Sequence, residues 1–150
     1  MWFLEAQRGA VLAILAGLGD DALATAVLPS GWTPLGMVEH LGYAERHWFQ
    51  EVLLGAADPL PWPDAPPLRT PRPKDTVFAF YAEQRAKGNA IVDVTPLDAK
   101  PVGRHPGELG EEVDDLRWII LHLIEETARH AGHLDAVREL LDGRTGLGPR

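Results

Sequence analysis

The residues best suited to chemistry lie near the C-terminal end of the chain, where segment 118–135 carries three histidines and two adjacent glutamates. If the segment is a helix and Glu126 is set at zero, His122 falls at about −40°, His130 at about +40° and His133 at about −20°. The four side chains therefore share one narrow face, which also carries apolar residues. Carboxylates and imidazoles in an apolar interior are costly unless they are paired, hydrogen-bonded or bound to metal. One metal ion would satisfy all of them together.

Glu126 and His130 are the first pair of expected metal ligands. Residues four apart lie one turn from each other on the same helix face, which suits two ligands of one ion. The spacing alone is a weak signal, so the hypothesis needs a third donor, and His40 in an earlier helical segment is the best one. His47 returns to nearly the same face as His40 seven residues later. We expect His47 and His122 to be structural or to support the ligands.

Three further residues have open roles. His133 could be a fourth ligand, a base, or a partner that orients the other ligands. Arg104 and His105 precede the last helix and could contact an anionic substrate or thiol, although charged loops are commonly just solvated.

Four helical segments must position these side chains. Thr33 and Pro34 form a typical helix start, a hydroxyl cap followed by proline at the first helical position. Asp75 is the expected cap of the third helix, and Gly143 is a good stop signal for the fourth. The segments are predicted at about 3–18, 33–54, 75–94 and 112–141.

The connections between these segments complete the prediction of the fold. Seven prolines between residues 58 and 73 exclude helix and central strand, because proline lacks a donor and fixes φ. Such a long connection can cross from one end of a bundle to the other. No strand-like alternation is present. We therefore predict an all-α protein, a four-helix bundle formed by a single domain over residues 1–150.

The composition restricts the partners. A net charge of −8 disfavours binding to nucleic acid or to an anionic membrane surface. The absence of cysteine excludes disulfides, thiolate ligands and a cysteine nucleophile, so any thiol chemistry must use a thiol from outside the protein. Together with the lack of a signal-peptide pattern at the N-terminus, it leads us to expect a cytoplasmic protein.

Three segments resemble the DinB-like superfamily, and the order of these segments is more specific than any one of them. They are SGWTPLGMVEHL at 30–41, ERHWF at 45–49 and EETARHAGHLD at 125–135. The most similar branch is related to mycothiol- and bacillithiol-dependent S-transferases and to a mycothiol-dependent maleylpyruvate isomerase. The resemblance implies a four-helix bundle with up-down-down-up topology.

The resemblance also implies a metal site. Members bind a divalent metal through one histidine of the second helix and an i, i+4 pair of the fourth, which correspond here to His40, Glu126 and His130. Many members have histidine at the position of Glu126, whereas the isomerase has glutamate. Whether Glu126 or His133 completes the set of ligands is left open at this stage.

Two imidazoles and a carboxylate leave coordination positions open, as in catalytic zinc sites. The resemblance implies that this position takes a low-molecular-weight thiol, mycothiol or bacillithiol, which attacks an electrophilic small molecule in detoxification. A non-catalytic, stress-related metal-binding bundle and a metal-dependent hydrolase are the alternatives. Zinc is the expected metal, but nickel, iron or manganese would also accept these donors.

Residues 118–124 of the predicted fourth helix are apolar on nearly every face. One side of this apolar run must then be deeply buried or covered by another molecule, and we expect a homodimer.

Overall fold

The computed structural model describes residues 1–56 and 67–146, and all of the regular elements in these ranges are helices, with no strand among them. This confirms the predicted all-α class. The helices are α1 (Trp2–Leu15), α2 (Asp20–Leu23), α3 (Pro34–Arg46), α4 (Lys74–Val94) and α5 (Leu116–Asp142). A π-helical segment, His47–Leu53, continues α3, and a single 3-10 turn, Glu108–Glu111, precedes α5.

Helices α1 and α5 pack side by side and run in the same direction. Near the C-terminal end of α5, the guanidinium of Arg138 donates hydrogen bonds to the carbonyl oxygens of Ile14 and Ala16, at 2.7 and 3.0 Å. These two carbonyls belong to the C-terminal end of α1, so both helices end at the same end of the bundle.

Helices α3 and α4 also run parallel to each other. Gly42 in α3 lies against the ring of Phe80 in the first half of α4, and Phe49 in the π-helical segment lies against Gly88 in the second half. Arg8, in the first half of α1, donates a hydrogen bond to Asn89, which lies near the C-terminal end of α4. Helices α1 and α4 are therefore antiparallel. The order is therefore up-down-down-up, as the resemblance implied.

The start of α3 is as predicted. The Thr33 hydroxyl accepts a hydrogen bond from the Gly36 amide at 3.1 Å, and Pro34 takes the first helical position. The helix was expected to continue to about Leu54. The α-helix ends at Arg46, and the π-helical segment continues it to Leu53, a change that the sequence did not reveal.

Helix α1 ends earlier than the predicted boundary near Leu18. Its last residue is Leu15, and Gly17 adopts a left-handed conformation with φ of 80° that no α-helix can continue. The chain then forms the short helix α2.

The predicted cap of α4 was wrong. The helix begins at Lys74 with Pro73 at the cap position, and Asp75 lies in its first turn. The Pro73 carbonyl accepts the amides of Thr76 and Val77 at 3.0 and 3.1 Å, so the proline starts the helix one residue earlier. Of the predicted proline-rich connection, residues 67–73 are described and contain no helix, whereas 57–66 lie outside the described residues.

The start of α5 was predicted four residues too early, at about Glu112. Asp115 is the true cap, because its carboxylate accepts the Trp118 amide at 2.9 Å and Leu116 begins the helix. The predicted end is confirmed, since Gly143 has φ of 76° in the left-handed region that favours glycine.

The core is divided into two apolar clusters. One joins α1, α3, α4 and the second half of α5; the other joins α1, the π-helical segment and the first half of α5. No described helix is long and apolar enough to span a bilayer.

Candidate metal centre

Three of the predicted donors meet between α3 and α5. The Nε2 atom of His130 lies 2.8 Å from Oε1 of Glu126, and Nε2 of His40 lies 3.3 Å from the same oxygen. One ligand atom from each of the three residues can be chosen so that all three lie within 4.8 Å of one another. The antiparallel packing of α3 against α5 is what brings His40 to the turn between Glu126 and His130.

These separations fit a shared cation. Ligand atoms about 2.1 Å from a tetrahedral zinc ion lie roughly 3.4 Å from each other. The two imidazole nitrogens lie 2.8 and 3.3 Å from the Glu126 oxygen, which is close to that separation. Nitrogen and carboxylate oxygen donors are those that zinc accepts in catalytic sites. The three side chains are 12–24% exposed, so the group is mostly shielded from water but still reachable.

The electrostatics favour an anionic Glu126. Hydrogen bonds from His130 and then His40 hold the pKa of its carboxyl well below the ordinary value, although burial alone would raise it. A carboxylate that stays ionised is a ready cation ligand at neutral pH.

His133 lies beside this group. Its Nδ1 is 3.4 Å from Nδ1 of His130, on the side of that ring away from Glu126, and the residue is exposed. The three-donor group does not include it. The base or fourth-ligand role expected for His133 stays a prediction.

A pocket of about 220 Å³ adjoins the donors. Its lining residues come from α3, the π-helical segment, α5 and the loop before α5: His40, Ala44, Trp48, His105, Leu109, His122 and Glu126. The pocket is therefore open to two of the three expected ligands.

The structure separates the two loop residues that were predicted together. His105 lines the pocket, whereas Arg104 is exposed and pairs at 3.4 Å with Glu111 on the surface. Arg104 does not line this pocket, although both residues line a neighbouring cavity of about 410 Å³.

The rings of Trp48, His105 and His122 line the pocket, and the ring of Trp118 lies outside its lining. The Trp48 ring stacks on His105 with centroids 4.8 Å apart and contacts His122 at 4.5 Å, while Trp118 stacks on His122 at 5.2 Å. The two tryptophans were not predicted as site residues. The i, i+4 series 118, 122, 126 was the signal that could have found Trp118.

His47 was expected to be structural or supporting, and it connects two charged or polar groups. Its Nδ1 lies 2.8 Å from Oε2 of Glu51 and its Nε2 lies 2.9 Å from Nδ1 of His105. Arg46 bonds to the other oxygen of Glu51 at 3.2 Å. Burial, followed by the nearby imidazoles of His47 and His122, lowers the pKa of His105.

The DinB-like superfamily has this architecture. Its members are up-down-down-up helical bundles in which one helix supplies one donor, and another helix supplies two, to a candidate metal site. Within this superfamily, a family model described as "MST: Mycothiol-S-transferase" matches residues 1–143, and the chain belongs to this family. The family assignment supports a transferase that acts with a thiol. Comparison with curated proteins found no match.

Proposed function

We propose that this protein is a divalent-metal-dependent mycothiol S-transferase that joins the thiol to electrophilic small molecules in detoxification. The convergence of His40, Glu126 and His130 beside a pocket of about 220 Å³ supports this proposal. Membership of the family supports the thiol.

The metal would be held by the two imidazoles and the carboxylate. A bound divalent cation supplies a Lewis acid with open positions that lowers the pKa of an incoming thiol. Zinc suits the two nitrogens and one oxygen, and nickel, iron and manganese are alternatives that the donor types do not separate.

The chain's own residues would shape the reaction around that ion. The ring of Trp48 would offer an apolar surface to the electrophile and limit the access of water to the attacking sulfur, and Trp118 would hold the His122 ring by stacking on it. In the transfer the sulfur–carbon bond forms and the leaving group departs with its bonding electrons. The thiol proton must pass to a base, and His133 is one candidate for that base from the sequence.

The proposal is tested with a monochlorobimane-type dye and mycothiol, using the purified protein before and after chelation and after metal is restored. We expect conjugate formation that needs both thiol and metal. Turnover without thiol would indicate a hydrolase, and no turnover with a fully metallated protein would indicate a non-catalytic bundle. Either result would overturn the proposal.

A further inference from the structure

Glu51, His47 and His105 form a chain of contacts that ends in the pocket and includes none of the expected metal ligands. The Glu51 carboxylate lies 2.8 Å from His47 Nδ1, and His47 Nε2 lies 2.9 Å from His105 Nδ1. Both distances are normal for hydrogen bonds between polar side chains.

The order of atoms determines where the protons lie when Glu51 is ionised and His47 is neutral. Glu51 can only accept while it is ionised, so Nδ1 of His47 must donate to it. Nε2 of a neutral His47 then carries a lone pair and accepts the proton on Nδ1 of His105. This leaves Nε2 of His105 as an unprotonated nitrogen on a ring that lines the pocket. A carboxylate that fixes the tautomer of an imidazole is a general device of acid–base catalysis, and here His47 passes that constraint from Glu51 to His105.

The backbone is built to hold this chain of contacts. His47 and Glu51 both lie in the π-helical segment, and such segments occur frequently at functional sites. The amides of Val102 and Gly103 donate to the carbonyl oxygens of Leu53 and Val52, at 3.0 and 2.8 Å, and so fasten the His105 loop to this segment.

Gly103 makes that close approach possible. A Cβ atom at this position would overlap the carbonyl oxygen of Glu51, so the loop could not lie so close with any other residue. Gly103 therefore lets the loop lie against the π-helical segment, and this contact holds the nearby His105 beside His47.

The charged surroundings of His105 agree with a base. Arg46 donates a hydrogen bond to Glu51, and the side chains of His47 and Glu51 are each only 13% exposed. His40 and Glu126 line the same pocket, and the imidazole of His122, like that of His47, acts electrostatically on the His105 ring. Because burial and these imidazoles lower its pKa, His105 is neutral near pH 7 and can accept a proton.

We propose that His105 is the base that accepts the thiol proton, and that His47 and Glu51 are positioning residues that fix its tautomer. The proposal rests on the proposed S-transfer and assigns to His105 the role that the sequence suggested for His133. The S–H proton passes to Nε2 of His105, the sulfur–carbon bond forms, and the leaving group departs with its electron pair. His105 then releases the proton to the leaving group or to water.

The first test uses His105→Gln and His133→Gln in the metal-loaded protein. We expect His105→Gln to keep the wild-type metal content and to lose roughly 10²-fold or more in kcat/KM at pH 7, with partial recovery at higher pH where the thiol ionises without a base. If His105→Gln keeps the wild-type rate and pH profile, or if only His133→Gln shows this behaviour, the proposal is overturned.

The second test reads the tautomers by ¹⁵N NMR of the imidazoles and so does not depend on turnover. We expect His105 to be protonated at Nδ1 in the wild type and in Glu108→Gln, which alters an exposed glutamate of the same loop. In Glu51→Gln this tautomer should be partly lost. A wild-type His105 protonated at Nε2 would overturn the proposal. If thiol transfer is absent, the proposed function fails. The NMR result still tests whether Glu51 and His47 fix the tautomer of His105.

Discussion

The guanidinium of Arg8 donates two parallel hydrogen bonds to the carboxylate of Glu45, at 2.6 and 2.5 Å, with the two side chains 0% and 2% exposed. The pair joins α1 to α3, and a further bond from Arg8 to Asn89 at 2.7 Å includes α4. It thus links three of the four long helices of the bundle.

Breaking this pair should destabilise the fold strongly. Removal of one partner leaves a buried, uncompensated charge, so we expect Arg8→Met or Glu45→Gln to cost about 3–5 kcal/mol in the free energy of unfolding measured with urea. The double variant Arg8→Met/Glu45→Gln should lose less than the two single losses added together. The exposed pair Lys87–Glu83 is the control, and Lys87→Ala should cost less than about 1 kcal/mol. Equal losses at both sites would contradict this reading.

Low pH should lower the free energy of unfolding, because Glu5, which bonds to Arg8 and Asn89, becomes protonated. Burial alone would raise the pKa of Glu5, but hydrogen bonds from Asn89, Arg8 and Arg85 outweigh it and lower the pKa to about 2. A carboxyl with a lowered folded-state pKa adds stability above its ordinary value of 4.5, and that stability is lost as the pH falls toward 2.

The comparison is between the wild type and Glu5→Gln, with urea midpoints taken from pH 5 to pH 2. The variant should lose less stability over this range than the wild type. Parallel curves would show that Glu5 is not the group responsible.

Two helix glycines should respond in opposite directions to alanine. A Cβ on Gly88 would lie 2.7 Å from Cδ2 of Phe49 and 3.2 Å from the Glu45 carboxylate, so we expect Gly88→Ala to lower the unfolding temperature. Among the described residues, no atom apart from the adjacent backbone of α5 lies within 4 Å of such an atom on Gly132, and Gly132→Ala should gain up to about 1 kcal/mol from helix propensity. Stabilisation by both substitutions would refute the tight contact between α4 and the π-helical segment.

Glu126 should be the donor that completes the site. Glu126→Gln keeps the shape but removes the anionic ligand, so its metal affinity should fall at least tenfold, whereas Glu126→His supplies another donor and should retain metal. Glu125→Gln is the matched control, because Glu125 is adjacent to Glu126 in the sequence but is exposed and lies outside the donor group. Competition with a chromogenic chelator gives the affinities. A Glu126→Gln variant with wild-type affinity would favour His133 as the third ligand.

The expected dimer stays a prediction. Ile119, Ile120 and Leu123 are buried within the bundle, which accounts for most of the apolar run, while Leu121 is 60% exposed. Gel filtration at micromolar concentration should show a dimer that Leu121→Glu disrupts. A wild-type monomer would remove the prediction.

Much of this arrangement could be predicted because helix periodicity and capping are local. The 100° rotation per residue placed Glu126 and His130 on one face, and Thr33 and Gly143 marked helix ends by their own chemistry. Asp75 and Glu112 misled the prediction because a competing cap, at Pro73 or Asp115, lay within a few residues.

The contact chain from Glu51 to His105 could not be predicted in this way. It joins residues 58 positions apart, from His47 to His105, and depends on a loop that Gly103 lets approach the π-helical segment. Neither the change from α to π geometry nor the packing of an irregular loop leaves a periodic signal in the sequence.

Metal analysis of the purified protein beside His40→Ala and His130→Ala tests the central claim most directly, with His122→Ala as the control in the same pocket. We predict about one divalent ion per chain in the wild type and the control, and loss of the ion in the two ligand variants. Retention of stoichiometric metal by both His40→Ala and His130→Ala would contradict the account.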